Sequence, residues 1–177
     1  KDTTAYEHFM VTSGRYRDIG NVRWVTGSGK SRTTHEWGFM ALKLDRRIPH
    51  CVVDAHSNNG VFTSNMPLFA KDQVLHLEGD FDRYFTLYCP REYERDALYI
   101  FTPDLMALLI DNTNAFDVEI VDDWMFVYST KPWDLQNAWT WYRLLTIAHT
   151  VGSKAVSRTE RYRDERAMPA VAAGAGG

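Results

Sequence analysis

Apolar and polar residues alternate along several runs in the first two thirds of the chain, as they do in strands that bury one face. Residues 21–26 and 33–44 are two such runs, and the Gly/Ser/Lys-rich stretch between them predicts a β-hairpin. Residues 50–56 predict another strand, which a turn at residues 46–49 separates from the hairpin. Residues 81–89 alternate over their whole length and predict a further strand.

Shorter patterns add strands on both sides of this region. Residues 8–12 and 74–78 have extended patterns. The runs 118–121 and 124–129 predict a last hairpin around the turn Asp122-Asp123. Taken with the runs above, these segments predict a mainly antiparallel sheet.

A pair of helices is predicted between the strand of residues 81–89 and the last hairpin. Residues 92–101 have the pattern of a short helix. Thr102 is a good N-cap and Pro103 a good first helical residue, so a second helix is expected to begin there and to end near residues 112–114.

Pro132 opens a long C-terminal helix, predicted over about residues 133–166 with a kink or break at Gly152-Ser153. The residues of its apolar stripe, which we expect to pack on the sheet, are Leu135, Ala138, Trp139, Tyr142, Leu145 and His149. Residues 1–166 thus predict a single α+β domain, a mainly antiparallel sheet with an inserted helical pair and a long C-terminal helix. Residues 167–177 are Gly/Ala-rich and predict a flexible tail.

Composition and charge narrow the classes of function. The net charge of −3 and the pI near 6.1 argue against a dedicated nucleic-acid-binding protein, which usually carries a strongly basic face. The aromatic content of 14% favours a sheet-rich core with aromatic cross-strand pairs. No run of about 18 apolar residues is present, so the sequence predicts no membrane-spanning helix.

The two cysteines, Cys51 and Cys89, both lie in apolar strand patterns. We interpret them as buried free thiols in a reducing compartment, and the alternative is a single bridge between the two strands. Neither has the electropositive helix-start context that activates a thiol, and no Ser-His-Asp or Cys-His motif surrounds a nucleophile. The sequence therefore favours a non-enzymatic function, and we expect no cofactor.

A metal site is one alternative to that expectation. His50, Asp54 and His56 lie on one face of a regular strand, and imidazole and carboxylate groups at this spacing can hold zinc if a neighbouring strand adds a ligand. His35 or His76 is a candidate for that ligand. A solvated polar sheet face has the same pattern, so the alternative is a face without metal.

Basic residues near the predicted turns suggest contact with an anionic surface. The stretch GSGKS at residues 27–31 lacks the first Gly of a phosphate-binding loop and is followed by a strand pattern, so it predicts a hairpin tip. The candidate residues for contact with anionic lipids are Lys30, Arg32, Arg46 and Arg47.

The C-terminal helix is the candidate contact with a protein partner or a membrane surface. Its aromatic residues Trp139 and Trp141 belong to an apolar face, whose simplest role is packing on the sheet. Its charged end includes Arg158 and Arg161 among residues of both signs. The sequence does not determine an oligomeric state.

The segments FDRYFTLYCP and ERDALYIFTPDLMALL, with their Ala-x-Tyr and Thr-Pro landmarks, resemble a bacterial domain of unknown function found in proteins that carry membrane-spanning helices elsewhere. The upstream run TGSGKSRTTHEWGFMALKLDRRIPHCVVDAHSNN is similar to hypothetical actinobacterial-type proteins with the same order of elements. The resemblance covers about two thirds of the chain. It implies a cytoplasmic domain tethered to a membrane by a segment outside this chain, and no catalytic residue transfers with it.

We therefore expect a non-catalytic interaction domain of a membrane-associated bacterial protein. The alternative is a module that binds anionic lipid, because a sheet followed by a C-terminal helix is similar at the level of fold to pleckstrin-homology-like domains.

Overall fold

The computed structural model of the chain describes residues 3–11, 17–58 and 73–164; the predicted tail at residues 167–177 lies outside these ranges. The strands of the described part pair into one antiparallel sheet and are β1 (Thr3–Val11), β2 (Arg17–Thr26), β3 (Thr33–Ala55), β4 (Val74–Leu75), β5 (Phe85–Tyr88) and β6 (Asp117–Ser129). Their order is β1-β2-β3-β5-β4, and β6 pairs with β3.

Helices cover one face of this sheet. They are α1 (Phe81–Tyr84), α2 (Glu94–Ile100), α3 (Pro103–Thr113), α4 (Ala138–Ile147) and α5 (Ser153–Thr159). A π-helical turn at Ala148–Gly152 joins α4 to α5 without a break. The core lies between this layer and the sheet, and its buried cluster includes Met40 and Leu42 of β3 together with Ile147 and Val151 of the C-terminal helix. The predicted α+β class, with its mainly antiparallel sheet, inserted helices and long C-terminal helix, is confirmed.

The two strands predicted at residues 33–44 and 50–56 are a single strand, β3, so the predicted turn at residues 46–49 is wrong. The register with β6 shifts between Lys43 and Ile48 and again before Cys51, so β3 bends there instead of turning. Among the described residues this stretch pairs only with β6, because the β2 pairing stops at Leu42 and the β5 pairing starts at Val52. Pro49 is tolerated because proline is compatible with irregular, singly paired parts of a strand.

The predicted hairpin around Asp122-Asp123 is likewise one strand, β6, which pairs with β3 from Gly38 to Val53. Asp122 pairs with Ile48 and adopts a positive φ of 53° at the point where the register shifts. The irregularity that looked like a turn in the sequence is thus a bulge, which bends β6 along with β3.

Residues 81–89 divide into a helical turn and a strand, because Phe81–Tyr84 forms α1 and only Phe85–Tyr88 pairs with β3. Phe81 and Phe85 are both buried, with ring centroids 5.1 Å apart. A separation of four residues fits one face of a helix as well as one face of a strand. The alternation therefore predicted a strand that begins four residues too early.

The C-terminal helix begins at Ala138 rather than near residue 133, because Trp133 is held in a non-helical segment by Asn21 of β2. The Trp133 N–H donates to Asn21 Oδ1 at 2.7 Å, and Asn21 Nδ2 donates to the Trp133 carbonyl at 3.0 Å. A Cβ at Gly38 would lie 2.5 Å from the Trp133 ring, so glycine leaves the space that the indole occupies. The helix remains continuous at Gly152 and ends at Thr159.

Candidate interaction surface

Helix α4 presents two contrasting faces. Its N-cap Asn137 accepts a hydrogen bond from the Trp139 N–H at 2.8 Å, which fixes where the helix begins. Leu144 and Ile147 point into the core. The opposite side, here called the outer face of α4, consists of Trp139, Tyr142 and Leu145, with exposed fractions of 70%, 61% and 50%. The prediction that these three residues pack on the sheet is therefore wrong.

Trp139 and Tyr142 stack on each other with ring centroids 5.1 Å apart and an interplanar angle of 20°. Beside them lies an open groove of about 340 Å³ between α3 and α4. Asp111 and Asn112 of α3 form one wall, and Arg143 of α4 contributes to the other. The groove thus combines aromatic faces with one carboxylate and one guanidinium group.

Arg143 is held in place by the core beneath it. Its guanidinium carbon lies 4.4 Å from the centroid of the Phe116 ring, a cation–π contact with a buried aromatic residue. The contact orients the cationic side of the groove.

Apolar exposure continues from α4 to the sheet edge. Trp141 is half-buried and donates its indole N–H to the Leu135 carbonyl at 2.9 Å. Its ring meets Phe9 of β1 edge-to-face at 5.1 Å. Phe9 and Met10 are both exposed on this edge strand. Trp141 therefore has a structural role between helix and sheet, whereas Trp139 does not.

Arg158 and Arg161 lie far from the outer face of α4. At a rise of about 1.5 Å per residue, Arg158 is about 28 Å along the helix from Trp139. Arg158 donates two hydrogen bonds to the Tyr99 carbonyl, from Nε at 3.2 Å and from Nη2 at 2.6 Å, and stacks over the Tyr99 ring. Arg161 is exposed beyond the end of α5. The structure brings Trp139 together with Tyr142, but not with these arginines.

The predicted metal ligands have other partners. His50 Nε2 lies 2.6 Å from Glu119 Oε1 of β6. Both ring nitrogens of His56 have partners: Nδ1 the Arg83 carbonyl at 3.2 Å, and Nε2 the Thr86 hydroxyl at 2.9 Å. Asp54 is buried. Within the described ranges no group of three or more His, Cys, Asp or Glu is arranged to hold a metal ion.

The four basic residues predicted to contact an anionic surface are split between two places. Lys30 and Arg32 lie at the exposed tip of the β2–β3 hairpin. The predicted glycine-rich hairpin tip is confirmed, and Gly27 and Gly29 adopt positive φ there. Arg46 and Arg47 are exposed in the bent middle of β3, where Arg46 Nε donates to the Glu160 carbonyl at 3.3 Å. About 14 residues of strand separate the pairs, a contour of roughly 45 Å. They do not form one basic patch.

Sequence reasoning missed a buried carboxyl group at the start of β6. Asp117 is buried and accepts a hydrogen bond from the Ala55 N–H at 2.8 Å. Burial raises the pKa of Asp117 to about 6, the hydrogen bond opposes this rise, and the nearby Asp54 charge adds to it. No sequence signal marks Asp117 as buried, because it is a single polar residue at the start of a strand that carries other acidic residues.

No family model, curated protein or solved structure matches this chain. Among the described helices, none is long and apolar enough to cross a membrane. The geometry of the outer face of α4 is therefore the main guide to function.

Proposed function

We propose that this chain is a non-catalytic interaction domain of a membrane-associated bacterial protein, and that it binds an amphipathic helix of a protein partner through the outer face of α4. The observation that carries the proposal is the exposure of the stacked pair Trp139 and Tyr142 beside the α3–α4 groove. The membrane association rests on the resemblance of residues 80–109 to domains of membrane-attached proteins.

The chemistry of the groove supports a protein ligand. Tryptophan, tyrosine and arginine are the residues most enriched at the energetic centres of protein interfaces. A partner helix could place an apolar side chain against the Trp139–Tyr142 stack, a basic residue near Asp111 and an acidic residue near Arg143. The outer face of α4 thus offers an apolar anchor together with charges that set the orientation.

A membrane surface is the competing occupant, since tryptophan and tyrosine also favour the lipid–water interface. Stable binding of an interfacial helix to anionic lipid needs basic residues around the apolar face. Here the groove carries one acidic and one basic residue, and the basic pairs at residues 30–32 and 46–47 lie elsewhere. A protein partner is therefore favoured.

The proposal is tested by site-specific crosslinking followed by reconstitution. A photoreactive phenylalanine analogue replaces Tyr142 in the membrane-attached protein in its native cells, and the crosslinked protein is purified and titrated against this domain by calorimetry. Trp139→Ala and Tyr142→Ala should each weaken binding about tenfold or more, as expected for an interface centre. Asp111→Asn and Arg143→Gln should weaken it less.

Leu98→Ala is the matched control, because Leu98 is also exposed but lies on α2, outside the groove. The Leu98→Ala variant should bind the partner with the same affinity as the unchanged domain. Equal binding by all α4 variants would refute the proposal. Loss of binding to anionic vesicles, rather than to a protein, in the Trp139 and Tyr142 variants would identify the membrane as the occupant.

A further inference from the structure

Cys51 and Cys89 occupy opposing positions on neighbouring strands. β5 pairs antiparallel with β3 through Val52↔Tyr88 and Val53↔Leu87. Extending this register by one residue places Cys51 opposite Cys89, which directly follows β5. Both side chains belong to the core cluster with Val53 and Leu87, so both point to the helix-covered face.

The hydrogen-bonding pattern brings these side chains close together. The Cys89 N–H donates to the Gln73 carbonyl at 3.0 Å, on the side of β4 and away from β3. Cys51 and Cys89 are therefore a non-hydrogen-bonded pair, in which opposed Cα atoms lie about 4.5 Å apart and side chains are closest. Disulfides span Cα separations of about 4.4–6.8 Å, so the pair is at bonding range. Both thiols are free in the structure.

We propose that Cys51 and Cys89 are an oxidative modification site, where a small-molecule disulfide converts the two thiols into a cross-strand disulfide between β3 and the end of β5. The bond would tie β5, and through it the edge strand β4, to the centre of the sheet.

The reaction proceeds by two thiol–disulfide exchanges. The Cys89 thiolate attacks one sulfur of the small disulfide, forming a mixed disulfide and releasing one small thiolate. The Cys51 thiolate then attacks the Cys89 sulfur, forming the Cys51–Cys89 bond and releasing the second small thiolate. The two protons lost by the cysteines are taken up by the released thiolates, so the two thiols are oxidised and one small disulfide is reduced to two thiols.

Burial makes this reaction slow and selects its order. The exposed fractions of Cys51 and Cys89 are 1% and 2%, so attack requires local opening. β4 lies at the sheet edge and has only two residues, so it opens at lower free energy than the centre of the sheet and gives access to Cys89 at the end of the four-residue β5. Burial raises the pKa of Cys89 to about 11 and that of Cys51 further, so Cys89 supplies thiolate first.

The test incubates the native domain with hydroxyethyl disulfide for hours, then determines intact mass and a peptide map without reduction. A second sample is unfolded and refolded in the same redox buffer. We expect a loss of two hydrogen atoms in mass, a Cys51–Cys89 linked peptide, and a melting temperature several degrees higher that reverts on reduction, because the bond restricts the unfolded chain.

Cys51→Ala and Cys89→Ala are the controls, and each should stop at a single mixed disulfide under the refolding condition. Two outcomes would overturn the proposal: thiols that stay reduced both in the native protein and after refolding, or double mixed adducts and intermolecular dimers in place of the internal bond.

Discussion

Aromatic residues gather in two regions of this molecule with opposite consequences. On the sheet face away from the helices, Trp37 stacks on Tyr128 at 5.4 Å and meets Trp24 edge-to-face at 5.0 Å, so these rings cover one another, and Trp24 and Trp37 are half-buried and Tyr128 is buried. On α4, Trp139 and Tyr142 stack as closely but remain exposed. The same residue types thus stabilise the sheet in one region and leave a surface for binding in the other.

The difference arises from the backbone beneath each region. Cross-strand pairing holds the sheet aromatics in a fixed array, with Trp24 opposite His35 and Phe39 opposite Tyr128. A helix instead places residues three and four apart on one face, so the Trp139–Tyr142 pair has only its own helix behind it. Exposure, rather than aromatic content, separates the structural cluster from the candidate site.

The largest expected effect separates the two faces of α4 with adjacent leucines. Leu144 is 1% exposed and Leu145 is 50% exposed. Leu144→Ala should lower the free energy of unfolding by about 2–5 kcal/mol because it leaves a cavity, whereas Leu145→Ala should lower it by about 1 kcal/mol or less. Urea denaturation measures both. Equal losses would mean that the outer face of α4 is buried.

Next in size is the comparison of one tryptophan from each aromatic cluster. Trp37→Ala should lower the free energy of unfolding by about 2–4 kcal/mol, since it removes ring contacts with Trp24 and Tyr128. Trp139→Ala should change it by about 0.5 kcal/mol or less, because the indole is mostly in water. Denaturant titrations with matched m-values test this. A large loss of unfolding free energy in the Trp139→Ala variant would mean that Trp139 is part of the core and not of the binding surface.

The sequence predicted the antiparallel sheet, the inserted helices and the long C-terminal helix, because the period of the apolar positions differs between strands and helices. It placed turns at residues 46–49 and at Asp122-Asp123, where the structure has bulges in β3 and β6. Proline and paired acidic residues are unfavourable in a regular strand, so they are compatible with a turn and with a bulge alike. Whether the chain reverses direction or only bends there depends on its pairing with the neighbouring strand, which the local sequence does not show.

The candidate site was predicted only in part. The sequence marks Trp139 as a candidate contact with a partner. The helical stripe through Trp139, Tyr142 and Leu145 nevertheless predicts burial, and all three side chains are exposed. Periodicity identifies an apolar face without showing what covers it. The segment before the helix is equally hidden from a local pattern, because Trp133 is held by Asn21 and Gly38 from distant parts of the chain.

A change of pH should affect the sheet region and leave the outer face of α4 unaltered. The pKa of Asp117 is raised to about 6 in the folded protein, above its value of about 3.9 in an unfolded chain. Its contribution to stability is therefore full below pH 3.9 or so and is lost as the pH rises through about 6. Asp117→Asn keeps an acceptor for the Ala55 N–H, and should stabilise the domain by about 1–3 kcal/mol at pH 7.5.

At pH 4 the Asp117→Asn variant and the unchanged domain should have nearly equal stability, because the carboxyl group is then largely protonated in the folded state. Denaturation curves at half-unit pH intervals check the convergence. A stability difference that is constant from pH 4 to 7.5 would contradict the assignment of the titration to Asp117. Leu145→Ala, which removes no titratable group, is the control on the outer face of α4, and its stability difference from the unchanged domain should not vary with pH.

The smallest effect concerns a charge at the end of the sheet aromatics. Lys43 Nζ lies 2.6 Å from Asp123 Oδ2 and 4.6 Å from the centroid of the Trp124 ring. Partly exposed ion pairs and cation–π contacts each contribute about 1 kcal/mol or less, so Lys43→Met should lower the free energy of unfolding by roughly that amount at low salt. High salt should reduce the loss by screening the ion pair.

Lys30→Met, at the exposed β2–β3 tip, is the control and should lower the free energy of unfolding by less than Lys43→Met at either salt concentration. If the two variants behave alike, Lys43 adds nothing to the aromatic array, and ring packing alone distinguishes the sheet cluster from the outer face of α4.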